Sequence, residues 1–257
     1  MRPRTKAGPA SGTRRRVTLS RALSKRGIAS RAEASRLIAR GDVRVNGRKV
    51  ADPGAWVDPV LDSITCGGEK LKPLRRLYVA MNKPAGVVTT RSDEKGRATV
   101  YDLLPEGYPW LFPVGRLDMD SSGLLLFTND TVFGERVTGP AQKVPKSYSV
   151  ALEHPLDPRG ARAMREGIVL KGGARCLPAE VTIDAHDARR CLVVITEGKN
   201  RQVRRMFEAL GNQVVRLHRL AIGPVTIGDL EEGRVRELSA GEVASLSGIQ
   251  GRKVRHG

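Results

Sequence analysis

The chain has few cysteines, few aromatic residues and too little acid for its base. Cys66, Cys176 and Cys191 are odd in number and far apart. They form neither a disulfide framework nor the paired spacing of a zinc site, and a reducing cytoplasm is the expected compartment. His154, His186, His218 and His256 are equally scattered, and lone histidines are more often surface or satisfied core groups than ligands, so no metal is expected. No run of about 18 apolar residues is present, which excludes a helical membrane span, and no apolar signal segment follows the basic N-terminus. A glycine-rich phosphate loop and a dinucleotide fingerprint are also missing, and no cofactor is expected. Aromatic residues make up 4% of the chain, which disfavours a sugar-binding cleft.

What the chain has in excess is positive charge. Lys and Arg number 45 against 27 Asp and Glu, a formal net charge of +18. Such an excess favours polyanions through counterion release, and nucleic acid is the expected partner. With 257 residues, 40% of them hydrophobic, the chain is long enough for two modest α+β domains. A monomer is the default state.

Residues 1–16 carry six basic side chains and no acid among Gly, Pro, Ser and Thr, a disordered basic arm. Leu19, Ala22 and Leu23 then share one helical face, with Gly27 placed to end that helix. Ser30 and Glu33 have capping-box spacing for a second helix with Ala34, Leu37 and Ile38 as its stripe and Gly41 as its stop. Val43 to Val50, turning at Asn46-Gly47, reads as a tight hairpin with a type I′ turn. Arg31, Arg36, Arg40, Arg44 and Arg48 lie off the apolar stripe and form a candidate phosphate-reading face. The string Ser30-Arg-x-Glu33-Ala-x-x-Leu37-Ile-x-x-Gly41-x-Val43-x-Val45-Asn-Gly47 resembles the RNA-binding domain named after ribosomal protein S4. The resemblance covers residues 17–71 and implies RNA binding without chemistry.

Residues 72–76 read as a short basic linker and 77–246 as a second domain. Leu77 to Met81 is a buried strand, Pro84 and Gly86 mark a turn, and Thr99 to Pro105 is a short helix. In the stretch Val114 to Asp130, Gly115 and Gly123 bracket charged residues as turn glycines, and Leu124 to Phe127 reads as a buried strand. Arg116 and Asp118 stand where a sheet meets a loop. A guanidinium beside Asp118 would keep its carboxylate ionised, and an oriented carboxylate can attack an electrophilic carbon. An ordinary turn-stabilising ion pair is the competing interpretation. Further on, Lys146 to Leu152 alternates as a strand with Tyr148 on the face of Val150. Leu192 to Thr196 is a buried strand running into a helix that starts at Glu197 to Asn200 and ends near Gly211. Val203, Met206, Phe207 and Leu210 form that helix's stripe. Arg204 lies at the apolar edge while Arg201 and Arg205 point outward, and the lysine- and arginine-bearing helix start is a candidate anion site. Ser239 to Leu246 is a final helix, and residues 247–257 a loose basic tail.

Gly115-Arg116-Leu117-Asp118, followed by Asp120-Ser121-x-Gly123-Leu124-Leu125-Leu126-x-Thr128-Asn129-Asp130, resembles the catalytic motif of pseudouridine synthases, most closely the RsuA/RluB branch. Asn82 to Thr89, Lys146-x-Tyr148 and Glu197 to Phe207 resemble three further motifs of that family, the first of which implies a turn followed by a strand at Val87 to Thr89. Ser121 and Ser122 depart from its usual threonine and acid. The resemblance implies a mixed, mainly antiparallel sheet with flanking helices and no cofactor. It makes Asp118 the catalytic aspartate, kept charged and aimed by Arg116 and Arg204. It also implies that Tyr148 stacks on the uracil and that Ile195 walls the pocket. Lys199, Arg201 and Arg205 are then further RNA contacts. The implied substrate is ribosomal RNA, with 23S favoured and 16S the alternative. Two rivals are a non-catalytic ribosome-assembly protein and a glycoside hydrolase using Asp118 and Asp120.

Overall fold

A computed structural model describes residues 16–58, 61–70 and 76–248. The expected basic arm before Arg16, the expected linker before Arg76 and the expected tail beyond Gly248 lie outside the described residues. The chain divides into two units, Met1–Arg75 and Arg76–Gly257. Among the described residues no helix is long and apolar enough to cross a membrane.

In the first unit, β1 (Val17–Thr18) leads into α1 (Leu19–Lys25), which buries Leu19, Ala22 and Leu23. Gly27 turns the chain with φ 73°, and α2 (Arg31–Arg40) follows. The Ser30 hydroxyl accepts the Glu33 N–H at 3.1 Å. The other half of the expected capping box is replaced, because the Glu33 carboxylate accepts from Arg36 at 2.8 Å. Gly41 ends α2 in the left-handed region, φ 83°. The hairpin of β2 (Val43–Val45) and β3 (Arg48–Lys49) turns through Asn46 and Gly47, φ 51° and 81°, the two positive values that a type I′ turn requires. β4 (Trp56–Val57) pairs with β1, while β5 (Ile64–Cys66) and β6 (Glu69–Lys70) complete a sheet ordered β3-β2-β5-β6. Leu19, Leu23, Ala34, Ile38, Val43 and Ile64 share one core.

The second unit runs β7 (Tyr78–Lys83), β8 (Phe112–Val114), β9 (Ser122–Thr128), α3 (Thr131–Thr138), β10 (Lys146–Leu152), α4 (Pro158–Glu166), β11 (Glu180–Ile183) and β12 (Arg190–Ile195). It continues with α5 (Gln202–Ala209), β13 (Val214–Ile222), β14 (Val225–Thr226), β15 (Val235–Glu237) and α6 (Ala240–Gly248). The sheet order is β11-β12-β10-β13-β9-β7-β15, with β8 beside β9 and β14 beside β13. Its strand pairs are antiparallel except β9 with β13. Met81, Leu125, Phe127 and Tyr148 pack with Met206 and Phe207 of α5, whereas Ala80, Leu124 and Leu126 pack with Phe133 of α3 and Leu246 of α6. Burial on both faces is why β9 reads as a continuous apolar run. α6 has a complete capping box, since Glu242 N donates to Ser239 Oγ at 3.2 Å and Ser239 N to Glu242 Oε2 at 2.8 Å.

Three local expectations fail. Thr99 to Pro105 forms turns, because the Asp102 carboxylate takes the Thr99 N–H at 2.7 Å and its hydroxyl at 3.1 Å, closing the segment on itself. Val87 to Thr89 contributes one isolated bridge, Val88 with Thr99, and no strand. α5 begins at Gln202, later than expected, because Arg201 takes a left-handed conformation, φ 48°.

Candidate active site

The loop Gly115 to Ser121 joins β8 to β9 and is fastened from several sides. The Thr89 hydroxyl donates to Leu117 O at 2.7 Å, Gly86 N donates to Met119 O at 2.7 Å, and Ser121 N closes a turn on Asp118 O at 3.1 Å. Gly115 sits at φ 81°, a turn glycine as its position implies. Gly123 is not one. It lies within β9 at φ 103°, where an added Cβ would stand 2.3 Å from Arg219 O. The close approach of β9 and β13 explains the residue, and a turn does not.

Fastened in this way, the loop presents Asp118 with 26% of its side chain accessible. The carboxylate lines a cleft of about 480 Å³ together with Arg116, Thr89, Asp93, Arg97 and Met119. The expected pairing of Arg116 with Asp118 is not formed: Arg116 is exposed and has no ion pair among the described residues. The guanidinium facing Asp118 belongs to Arg201, whose Nη1 is 3.7 Å from Oδ2. Arg201 therefore does not point outward as its helical position implied. Its left-handed backbone takes it off the helix and turns the side chain toward the loop, where it also meets Asp120 at 3.1 Å.

Arg204 reaches inward, as expected, but not to Asp118. Its side chain is 7% accessible, and its Nε stands 3.3 Å from Asp120 Oδ2. It donates to Val214 O at 2.7 Å and Asp120 O at 2.8 Å. The role expected for Arg204 at the carboxylate thus falls geometrically to Arg201, and Arg204 braces the backbone beneath it. Burial pushes the Asp120 carboxyl up, but hydrogen bonds from Arg201 and the charge of Arg204 outweigh it and hold the group below its ordinary range. Asp120 is thereby engaged by two cations, which removes the free second carboxylate that a glycoside hydrolase needs.

Strand register places the remaining residues. Tyr148 lies opposite Arg219, Arg219 opposite Gly123, and Gly123 opposite Lys83. At about 4.8 Å per strand, Tyr148 stands about 10 Å across the sheet from Gly123. Tyr148 is 8% accessible and Ile195 3%, and both belong to the main core. Neither lines the cleft at Asp118. Lys199 bonds Arg175 O at 2.7 Å and approaches Glu197 at 3.2 Å, while half-buried Arg205 bonds Lys171 O at 3.3 Å. At the expected anion site beside α5 the anion is internal, since the Glu197 carboxylate accepts from Leu177 N at 2.9 Å and from the Gln202 amide.

Composition and spacing missed Lys83 and Arg219. Lys83 is fully buried, and its Nζ donates to Ser121 O at 2.7 Å and Pro84 O at 2.8 Å. Burial pushes its pKa down to about 8 against the opposing pull of Asp118 and Asp120. Arg219, 5% accessible, donates through Nε to Leu124 O at 2.7 Å. The sequence signal for Lys83 was a charged residue at the end of a mostly apolar strand. Ser122, at a departure from the family motif, bonds His218 Nδ1 at 2.9 Å.

In the first unit, Arg31, Arg36, Arg40, Arg44 and Arg48 are all exposed. Arg36 and Arg40 already have acidic partners, Glu33 at 2.8 Å and Asp42 at 2.6 Å. Arg31 and Arg48 have none among the described residues.

Residues 77–209 match the family model described as RNA pseudouridylate synthase, and residues 17–59 match the S4 domain. The chain is 38% identical to an RNA pseudouridine synthase of Aquifex aeolicus, over 90% of this chain and 93% of that one. It is 36% identical to the ribosomal large subunit pseudouridine synthase B of Bacillus subtilis, over 90% and 96%. It is 34% identical to the ribosomal small subunit pseudouridine synthase A of Yersinia pestis, over 90% and 98%. A crystal structure of a pseudouridylate synthase superposes with a TM-score of 0.66 at 33% identity, over 90% of this chain and 99% of that one. With this fold and these relatives, the chain belongs to the RsuA/RluB family of RNA pseudouridine synthases, isomerases that carry an N-terminal S4 domain.

Proposed function

We propose that the protein converts one uridine of ribosomal RNA to pseudouridine, with Asp118 as the nucleophile or its close equivalent. The observation that carries this reading is the accessible Asp118 carboxylate lining a cleft, facing one guanidinium at 3.7 Å. The reaction breaks the bond from N1 to C1′, turns the base, and joins C5 to C1′. N1 ends with a proton, C5 loses one, and nothing is gained or lost overall. Attack at the sugar and elimination through a glycal both need one carboxylate, and neither needs a cofactor.

Arg201 faces the carboxylate and aims it, and Arg204 and Lys83 hold the loop that carries it. Arg116, exposed at the cleft, meets the RNA around the extruded nucleotide. Tyr148 stacks on the uracil with Ile195 as the aliphatic wall, once a bound nucleotide spans the distance from the cleft to β10. Arg31, Arg44 and Arg48 contact phosphates, with Arg36, Arg40, Lys199 and Arg205 adding charge. The names of the relatives point to both subunits, and 23S RNA is the favoured substrate with 16S RNA the alternative.

Carbodiimide mapping of 16S and 23S transcripts incubated with the protein tests the proposal. Asp118→Asn lowers turnover by at least about a thousandfold while retaining fold and RNA binding. Pseudouridine at the wild-type rate in that variant would remove Asp118 from the chemistry.

A further inference from the structure

Aromatic side chains are only 4% of the chain, yet three are piled outward from the core beside the cleft. Phe127 of β9 is fully buried. Tyr101 meets it edge-on, with centroids 6.0 Å apart at 81°, and donates its hydroxyl to Leu111 O at 3.1 Å, so the ring is pinned. Trp110 lies parallel to Tyr101, centroids 5.4 Å apart at 5°. Arg91 places its guanidinium carbon 4.1 Å from the Trp110 centroid and 5.7 Å from that of Tyr101.

Arg91 is exposed and has no ion pair among the described residues. The nearby acid Asp93 is committed to Arg97 through contacts of 2.6 Å and 3.0 Å. Thr90 and Ser92, on either side of Arg91, line the cleft that holds Asp118. The three separations of 4.1, 5.4 and 5.7 Å form a triangle, so the Arg91 guanidinium sits against both rings and is not a further layer beyond Trp110. An exposed cation framed by two aromatic rings offers a nucleobase a π and cation surface and offers its charge to the adjoining phosphate. Because Tyr101 is pinned by its hydrogen bond to Leu111 O and Trp110 is stacked on it, little freedom is lost when a base settles against the group.

We propose that Arg91, backed by Trp110 and Tyr101, is a stacking platform for an unpaired nucleobase next to the uridine that enters the cleft. The proposal rests on the reading of that cleft as the site of uridine isomerisation. Extruding a uridine removes a stacking partner from its neighbour, and the platform replaces it. Every base has a flat face, so the contact positions the RNA without specifying its sequence.

The chain has two tryptophans, Trp56 and Trp110. Trp56 is 67% accessible, so Trp56→Phe leaves Trp110 as the one indole reporter at small structural cost. In the full-length protein carrying Trp56→Phe and Asp118→Asn, unmodified 16S or 23S transcript quenches Trp110 emission in step with binding. In the otherwise wild-type enzyme, Arg91→Ala raises KM about tenfold and leaves kcat within about twofold. Arg91→Lys, which keeps charge but not the plane, does not restore KM. Bound RNA with unchanged Trp110 emission, or full rescue by lysine, overturns the platform even where the wild-type protein makes pseudouridine. If the wild-type protein makes none on either transcript while RNA still quenches Trp110, the reading of the cleft falls and the RNA-stacking contact stands.

Discussion

Arg204 and Arg201 both reach Asp120, but burial gives their removal different consequences. Arg204→Met strips a charged donor from Val214 O and Asp120 O, which it bonds at 2.7 Å and 2.8 Å. Hydrogen bonds to a charged group contribute about 1.5 to 3 kcal/mol each, so the loss is about 3 to 6 kcal/mol. Methionine recovers about 1 to 2 kcal/mol by relieving guanidinium desolvation and keeping apolar contact. The net loss is about 3 kcal/mol, which lowers Tm by about 6 to 12 °C for a domain of this size. Arg201 is 41% accessible, and its ion pairs with Asp118 and Asp120 are open to solvent. Arg201→Met therefore costs about 1 kcal/mol or less, while its loss at Asp118 appears in kcat. Urea unfolding of the two variants at a common m-value measures the difference. Free energies within about 1 kcal/mol of each other would refute the assignment of Arg204 as the brace and Arg201 as the partner of Asp118.

Gly123→Ala places a Cβ 2.3 Å from the backbone oxygen of Arg219 at φ 103°, and its combined strain and overpacking cost is about 2 to 5 kcal/mol. Thermal unfolding at or near the wild-type Tm would contradict that. Lys83 has a folded pKa of about 8 against an ordinary 10.5. The unfolded chain therefore holds an extra proton between those values, and stability rises with pH across that window. The burden is complete below pH 8, and its removal contributes up to about 3 kcal/mol. The unfolding free energy of wild type minus that of Lys83→Met should rise by up to this amount from pH 7 to 10, and a flat difference would show that the ammonium is not strained. In the first unit, Arg31→Gln with Arg48→Gln should reduce the salt slope of rRNA-transcript binding by about 1.4 to 1.8. Arg36→Gln with Arg40→Gln should reduce it less, because those cations already have acidic partners. Equal slopes from the two pairs would remove that distinction.

What was legible in the sequence follows from how far each signal reaches along the chain. The cap at Ser30, the stop at Gly41 and the turn at Asn46-Gly47 are decided by neighbours a few residues away, and each was readable. Gly123 was misread because a strand glycine and a turn glycine look alike locally, and what fixes it is Arg219, brought alongside by the parallel β9–β13 pairing. Arg201 was misplaced for a related reason. A helix assumed to begin by Asn200 puts its side chain outside, whereas the left-handed residue before Gln202 returns it to the loop. Lys83 stood out only as a charge at the end of a strand, and its role could not be read because its partners are backbone oxygens that carry no sequence signature. That chemistry also bears on the site as a whole. Lys83 is bound to Ser121 O and Pro84 O, Arg204 to Asp120 O and Val214 O, and Arg219 to Leu124 O. These buried cations hold main-chain carbonyls, so they fix the position of the Asp118 loop without a direct ion pair to its carboxylate. Among the described residues, the ion pair to Asp118 is the long one from Arg201. A carboxylate gripped by short hydrogen bonds from several cations would be a poor nucleophile. One held in place through its backbone, with a single distant guanidinium, keeps its oxygens free for the proposed attack on a sugar carbon.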